Sequence, residues 1–252
     1  MQNFLFNGTN IKFKLMGEGP LPVFWGHGWG QDHRAFENLA QSFSGAGTHI
    51  LFDFPGFGGS DTPESVWSTA DYADACAALI RTRADKKILW VGHSFGCRVG
   101  LQLAARHPDL VAGLFLIAGA GLPRQRPLHQ KLYIKAQVML FKLMKKCLGA
   151  ERARQKFGSA DYKNTSGVLR SIFVKTVNEN LSDIAQQITC PVILLYGDRD
   201  EETPPEIGER LARLIPDANL VVLEGHDHYS LLAQGRHQSA GHLKRFMERI
   251  AS

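Results

Sequence analysis

Short apolar runs separated by stretches of helical periodicity recur along this chain. Two of them, Asn3–Phe6 and Asn10–Leu15, flank Asn7-Gly8 and predict a β-hairpin. Val23-Phe24-Trp25 reads as a buried strand, followed by a helix from Arg34 to Phe43. His49–Phe52 leads into the Gly-rich turn Pro55–Gly59 and then a helix from Thr69 to Arg83. Ile88–Val91 precedes a helix from Phe95 to Arg106, closed by His107-Pro108. Val111–Ala118, Val192–Tyr196 and Leu220–Leu223 supply three further strands. Buried apolar runs alternating with helices predict an α/β fold: a mostly parallel central sheet covered by helices on both faces.

The rhythm changes between Gly119 and Cys190, which hold no clear strand. A structureless loop of that length is foreign to a compact domain. Leu132, Ala136, Met139, Leu140, Leu143 and Cys147 recur there at three- and four-residue spacing, while Lys131, Lys135, Lys142 and Lys146 occupy another face. The expectation is a core built from residues 1–119 and 191–252, with residues 120–190 forming a helical cap inserted after the sixth strand and seated on the sheet.

A chain of 252 residues, 44% apolar and 21% charged, suits one large α/β domain or two small domains and excludes a disordered, collagen-like or disulfide-stapled chain. The longest apolar run, Leu110–Leu122, is too short to span a bilayer, and the first residues lack the charged and apolar regions of a signal peptide. A cytoplasmic protein without a transmembrane segment is expected. Cys76, Cys97, Cys147 and Cys190 are widely spaced, which predicts free thiols rather than a metal site or a disulfide framework.

Net charge is +5, but its distribution says more than its sum. Between Pro123 and Lys175 thirteen Lys or Arg stand against Glu151 and Asp161, a net +11; the other 16 basic and 22 acidic residues leave −6 elsewhere. A locally basic face follows, either a solvated helical surface or a dock for an anionic partner. No nucleic-acid-binding motif accompanies it, so nucleic acid is not an expected partner. Docking on a membrane surface through the helix around Lys131–Lys146 is a minority reading.

The chemistry centres on Gly92-His93-Ser94-Phe95-Gly96, a G-x-S-x-G sequence between an apolar strand and a helix. Such a sharp turn lifts the Ser94 hydroxyl to the carboxyl edge of a parallel sheet. A serine needs a base, and the base needs an orienting acid. Strand Val192–Tyr196 runs into Gly197-Asp198-Arg199-Asp200, and strand Leu220–Leu223 into Glu224-Gly225-His226-Asp227-His228, so acid and base candidates lie at the same edge. Asp200 is preferred to Asp198, being further out in its loop, and His228 to His226. The remaining histidines, among them His33, His49 and His107, read as surface or packing residues. Developing negative charge needs backbone donors. The N–H of Phe95 is one, and that of Trp29, in the turn His27-Gly28-Trp29-Gly30, is the other.

These motifs resemble the α/β-hydrolase superfamily, serine-nucleophile branch. Asp53-Phe54-Pro55-Gly56-Phe57-Gly58-Gly59-Ser60 matches the family's D-x-P-G-x-G-x-S turn, Gly197–Pro204 its G-x-x-D-x-x-x-P loop, and Asp227-His228-Tyr229 its closing histidine loop. The resemblance supports Asp200 and His228 and implies a catalytic triad of Ser94, Asp200 and His228 needing no metal or organic cofactor. Ser94 stands where dehalogenases and epoxide hydrolases carry Asp, so neither chemistry is expected. Cys97 departs from the family's usual Gly and is expected to pack near the nucleophile. The similarity extends to small carboxylesterases, to C–C bond hydrolases acting on ring-cleavage products, and to carrier-protein methyl ester esterases. A small-molecule carboxylic ester is the expected substrate. C–C hydrolases act on diketone acids and need a cation for the carboxylate, which Arg98 or the basic cap could supply. The basic cap could instead dock an acyl carrier protein. A non-enzymatic ligand receptor on the same scaffold is the remote alternative.

Overall fold

A computed structural model describes residues 1–148 and 160–251. Eight strands form one sheet: β1 (Gln2–Phe6), β2 (Thr9–Met16), β3 (Leu21–Gly26), β4 (Gly47–Phe52), β5 (Ile88–His93), β6 (Val111–Ile117), β7 (Val192–Gly197) and β8 (Ala218–Leu223). Their spatial order is β1-β2-β4-β3-β5-β6-β7-β8. The β1–β2 and β2–β4 pairs are antiparallel, and every later pair is parallel. The hairpin turns at Asn7-Gly8, both with positive φ, as a tight two-residue connection requires.

Helices cover both faces. On one side α2 (Thr69–Arg83), α3 (Phe95–Arg106), α7 (Ser182–Ala185) and α8 (Pro205–Leu214) enclose a core with Trp90, Tyr72, Leu103 and Leu211. On the other, α1 (Arg34–Gln41) and α9 (Arg236–Ala251) pack Phe36, Leu39, Leu243 and Phe246 against Trp25 and Phe115. The sheet is buried on both faces because its central strands are apolar at nearly every position: all six residues of β5 are buried. Ser68 starts α2 through a capping box with Asp71, satisfying donors that the first turn leaves free.

The fold class agrees with the expectation, with small differences at the ends. Helix α1 stops at Gln41, two residues short of Phe43, and several strands run one or two residues longer at either end. Between β6 and β7 the described residues form helices and no strand: α4 (Leu128–Leu148), α5 (Ala160–Asn164), α6 (Gly167–Asn178) and α7. Residues 149–159 lie outside the described part. The apolar positions of α4 are not seated on the sheet: Leu132, Met139, Leu140 and Leu143 are exposed. The helical period of α4 was legible, but what its apolar arc faces was not.

Candidate active site

Ser94 sits between β5 and α3 with φ 48° and ψ −102°. A residue with a side chain avoids this region, at a cost of roughly 1–3 kcal/mol, unless its surroundings fix it. They do: Ser94 N–H donates to Ile117 O (3.0 Å), Gly96 N–H to His27 O (3.1 Å), and the buried Trp90 indole N–H to Gly96 O (3.0 Å). The two glycines of the motif are needed for close approach. A Cβ on Gly96 would lie 1.9 Å from Gly26 O, and one on Gly92 2.7 Å from Gly96 O. The first turn of α3 thus rests directly on β3.

Asp200 and His228 meet at the same edge of the sheet, both buried. His228 Nδ1 is 2.8 Å from Asp200 Oδ2. Asp200 Oδ1 accepts the N–H groups of Glu202 and Thr203, both at 2.8 Å, and the Thr203 hydroxyl lies 2.9 Å from Oδ2 and 3.1 Å from His228 Nδ1. Burial alone would push the Asp200 carboxyl up; the His228 and Thr203 contacts outweigh it and hold it below the usual carboxylate range. An ionised Asp200 can only accept, so Nδ1 donates to it, and in the neutral imidazole the lone pair then sits on Nε2. Ser94 makes no hydrogen bond to His228 among the described residues; Glu202 Oε2 stands 3.5 Å from Nε2 instead. Such bonds are often long before substrate arrives.

The two alternatives are occupied elsewhere. Asp198 Oδ1 accepts Gly225 N–H, and His226 Nε2 contacts Gln238. They tie loops together.

The turn after β3 is pinned by His27, whose Nδ1 contacts Gly28 O (2.7 Å) and whose Nε2 accepts Phe54 N–H (2.9 Å). Burial lowers its pKa to about 4, so the ring is neutral with its proton on Nδ1. His93, inside the elbow, reaches His228 O through Nε2 (3.0 Å), and burial lowers its pKa to about 3. It braces the loop that carries His228. The backbone N–H groups of Trp29 and Phe95 donate to no acceptor among the described residues. Asp53 explains the D-x-P-G turn: its carboxylate takes His33 N–H (2.8 Å) and Gly59 N–H (2.8 Å). Asp32, His33 and Asp53 are spaced like metal ligands, but those bonds and the Asp32–Arg34 pair already engage them.

A cavity of about 720 Å³ opens over Ser94. Trp29, Phe95 and Phe173 give it apolar walls, while Arg98, Asp161 and Glu202 bring charge. Arg98 is 9% exposed, and its Nη1 donates to Glu179 O at 3.1 Å. Among the described residues it has no carboxylate at ion-pair distance, and burial lowers its pKa. Burial pushes the Asp161 carboxyl up. Cys97 packs below the site with its thiol 3.3 Å from Ile117 O. Cys76 is buried and Cys190 half-buried, and the side chain of Cys147 lies outside the described set.

The sequence reading missed Thr203, Glu202 and His93. All three lie inside motifs it had singled out, yet a threonine or glutamate in a turn carries no period that betrays its partner.

A family model described as the alpha/beta hydrolase family matches residues 23–239. The chain belongs to that family. The hydrolase is 31% identical over 238 residues to a 2-(acetamidomethylene)succinate hydrolase of Mesorhizobium japonicum, covering 87% of this chain and 84% of the relative. It is 28% identical over 247 residues to a pimeloyl-[acyl-carrier protein] methyl ester esterase of Neisseria meningitidis serogroup A, covering 87% and 75%. Its fold matches a thermophilic esterase from Thermogutta terrifontis with a TM-score of 0.76 at 21% identity, over 100% of both chains.

Proposed function

We propose that this α/β-hydrolase cleaves carboxylic esters with Ser94 as nucleophile, His228 as base and Asp200 as its orienting acid. The observation that supports the reading is the buried Asp200–His228 Nδ1 contact of 2.8 Å, whose neighbours Glu202 and Thr203 line the same cavity as Ser94, a serine held at φ 48°. Ser94 Oγ attacks the ester carbonyl while His228 Nε2 takes its proton. The carbonyl oxygen becomes an oxyanion facing the Trp29 and Phe95 N–H groups, which donate to no other acceptor among the described residues. As the C–O bond breaks, His228 returns the proton to the departing alcohol. Water then repeats the cycle on the acyl-serine and releases the acid. Glu202, near Nε2, adds negative charge beside the imidazolium that forms.

Incubation with a fluorophosphonate, followed by peptide mass spectrometry, tests this directly. One adduct per chain, on Ser94, with parallel loss of p-nitrophenyl ester hydrolysis, is the expected result. A folded protein that hydrolyses no ester in an acetyl-to-long-chain series and takes no label would overturn it.

Arg98 favours a second reading, in which the scissile substrate carries a carboxylate, as C–C bond hydrolase substrates do. A buried guanidinium with a single neutral acceptor among the described residues, opening on the cavity, is a receptor for an anion. Arg98→Met is expected to lower kcat/KM for an ester with a free distal carboxylate by about 30-fold or more, and for its methyl-capped counterpart by no more than about 3-fold. Equal losses on both would make Arg98 a packing residue.

A further inference from the structure

Helix α4 is the one long element whose described side chains are all exposed or half-buried. Met139 is 73% exposed, Leu128 72% and Tyr133 65%, and Leu132, Leu140 and Leu143 are also exposed. Leaving that much apolar surface in water is unfavourable by roughly 25 cal/mol per Å², and patches of this kind mark interaction surfaces. The charge pattern is equally one-sided. No Asp or Glu occurs from Pro123 to Ala150, a stretch with two arginines and five lysines. At the helical repeat, positions 131, 135, 142, 145 and 146 fall within an arc of about 100°. Leu128, Leu132, Tyr133, Met139, Leu140 and Leu143 fill the adjoining arc of about 140°.

We propose that α4 is an interfacial helix that seats the protein on a bilayer surface containing anionic phospholipid. Its leucines and methionine enter the boundary between headgroups and acyl chains, and its lysines extend to the phosphates. Residues 149–159 read GAERARQKFGS, with Phe157 as their only large apolar residue. A second copy would set two acid-free lysine arcs against one another, which Coulomb repulsion opposes. An anionic bilayer meets both arcs at once. Pro123, Arg124 and Arg126, the residues leading into α4, line the cavity over Ser94, so the membrane would lie at the cavity's rim. The inference concerns a surface and stands whether or not the ester reading holds.

Flotation of the full chain with vesicles of phosphatidylcholine alone, and of an equimolar mixture with phosphatidylglycerol, tests it. The expected result is partition to the mixed vesicles that is at least about tenfold stronger than to phosphatidylcholine and weakens in high salt. Leu132→Glu with Leu143→Glu, and separately Lys135→Glu with Lys142→Glu, should each reduce partition about tenfold or more, with thermal midpoint and turnover of a short soluble ester unchanged. Equal partition to both vesicles, or undiminished partition by both variant pairs, would overturn the proposal. So would salt-sensitive binding of acyl carrier protein without vesicle binding, or a dimer in sedimentation equilibrium that Leu132→Glu with Leu143→Glu dissociates.

Discussion

Ser94→Ala and His228→Ala are each expected to lower kcat on an activated ester by about 10⁴-fold or more, and the double variant by little beyond either single one. The reason is that nucleophile and base act as one unit: without the base the hydroxyl stays protonated, and without the hydroxyl the base has nothing to deprotonate. Asp200→Asn should cost less but still orders of magnitude, because an amide in place of the ionised carboxylate no longer dictates that Nδ1 carries the proton. Thr203→Val should cost only about tenfold, since the Glu202 and Thr203 N–H groups still hold Asp200. Steady-state kinetics on one p-nitrophenyl ester, with thermal midpoints as a control, gives the order. If Ser94→Ala retains more than about a hundredth of the wild-type rate, another nucleophile is at work. Ser94→Gly should be as inactive as Ser94→Ala yet unfold at higher temperature, because glycine adopts φ 48° without a side-chain clash.

Acid should unfold this protein early. His27 and His93 are buried and neutral, with pKa values of about 4 and about 3 set chiefly by desolvation. In the unfolded chain both titrate near 6.5. A lowered folded-state value means that the unfolded state binds more protons as pH falls, so stability is intact above about pH 6.5 and is lost on the way down to pH 4 and then 3. Each histidine can remove about 1.4 kcal/mol per pH unit, so about 5 kcal/mol goes between pH 6.5 and 4.5. That is a large part of the stability of an ordinary domain. Guanidinium unfolding at pH 7.5, 6.5, 5.5 and 4.5 checks it, with His93→Gln expected to roughly halve the slope. Equal midpoints at pH 7.5 and 5 would mean that neither ring is held neutral in the folded state below its unfolded-state pKa.

Much of this architecture could be read from the sequence because its central strands are buried on both faces. A run such as Ile88–Val91 then has no polar position to confuse with a helix, and Gly92 and Gly96 mark the turn by what they lack. The candidate acid and base were legible for a topological reason: parallel strands deliver their following loops to one edge. What the sequence hid were contacts that depend on side-chain reach. Thr203 between Asp200 and His228, and His93 under the His228 carbonyl, have no period or charge that points to their partners. The placement of α4 was hidden for another reason. Helical periodicity tells which residues share an arc, and nothing about whether this chain supplies the surface that covers it.

Trp29 ties two parts of the protein together. Its ring meets Phe173 of α6 at 5.1 Å and Phe95 at 5.4 Å, while its backbone N–H is the donor assigned to the reacting oxygen. The insertion that shapes the cavity therefore leans on the same residue that would polarise the substrate. Changing α6 to admit a different acyl group would also disturb the donor, so in this hydrolase substrate choice and reactivity are expected to be inherited together.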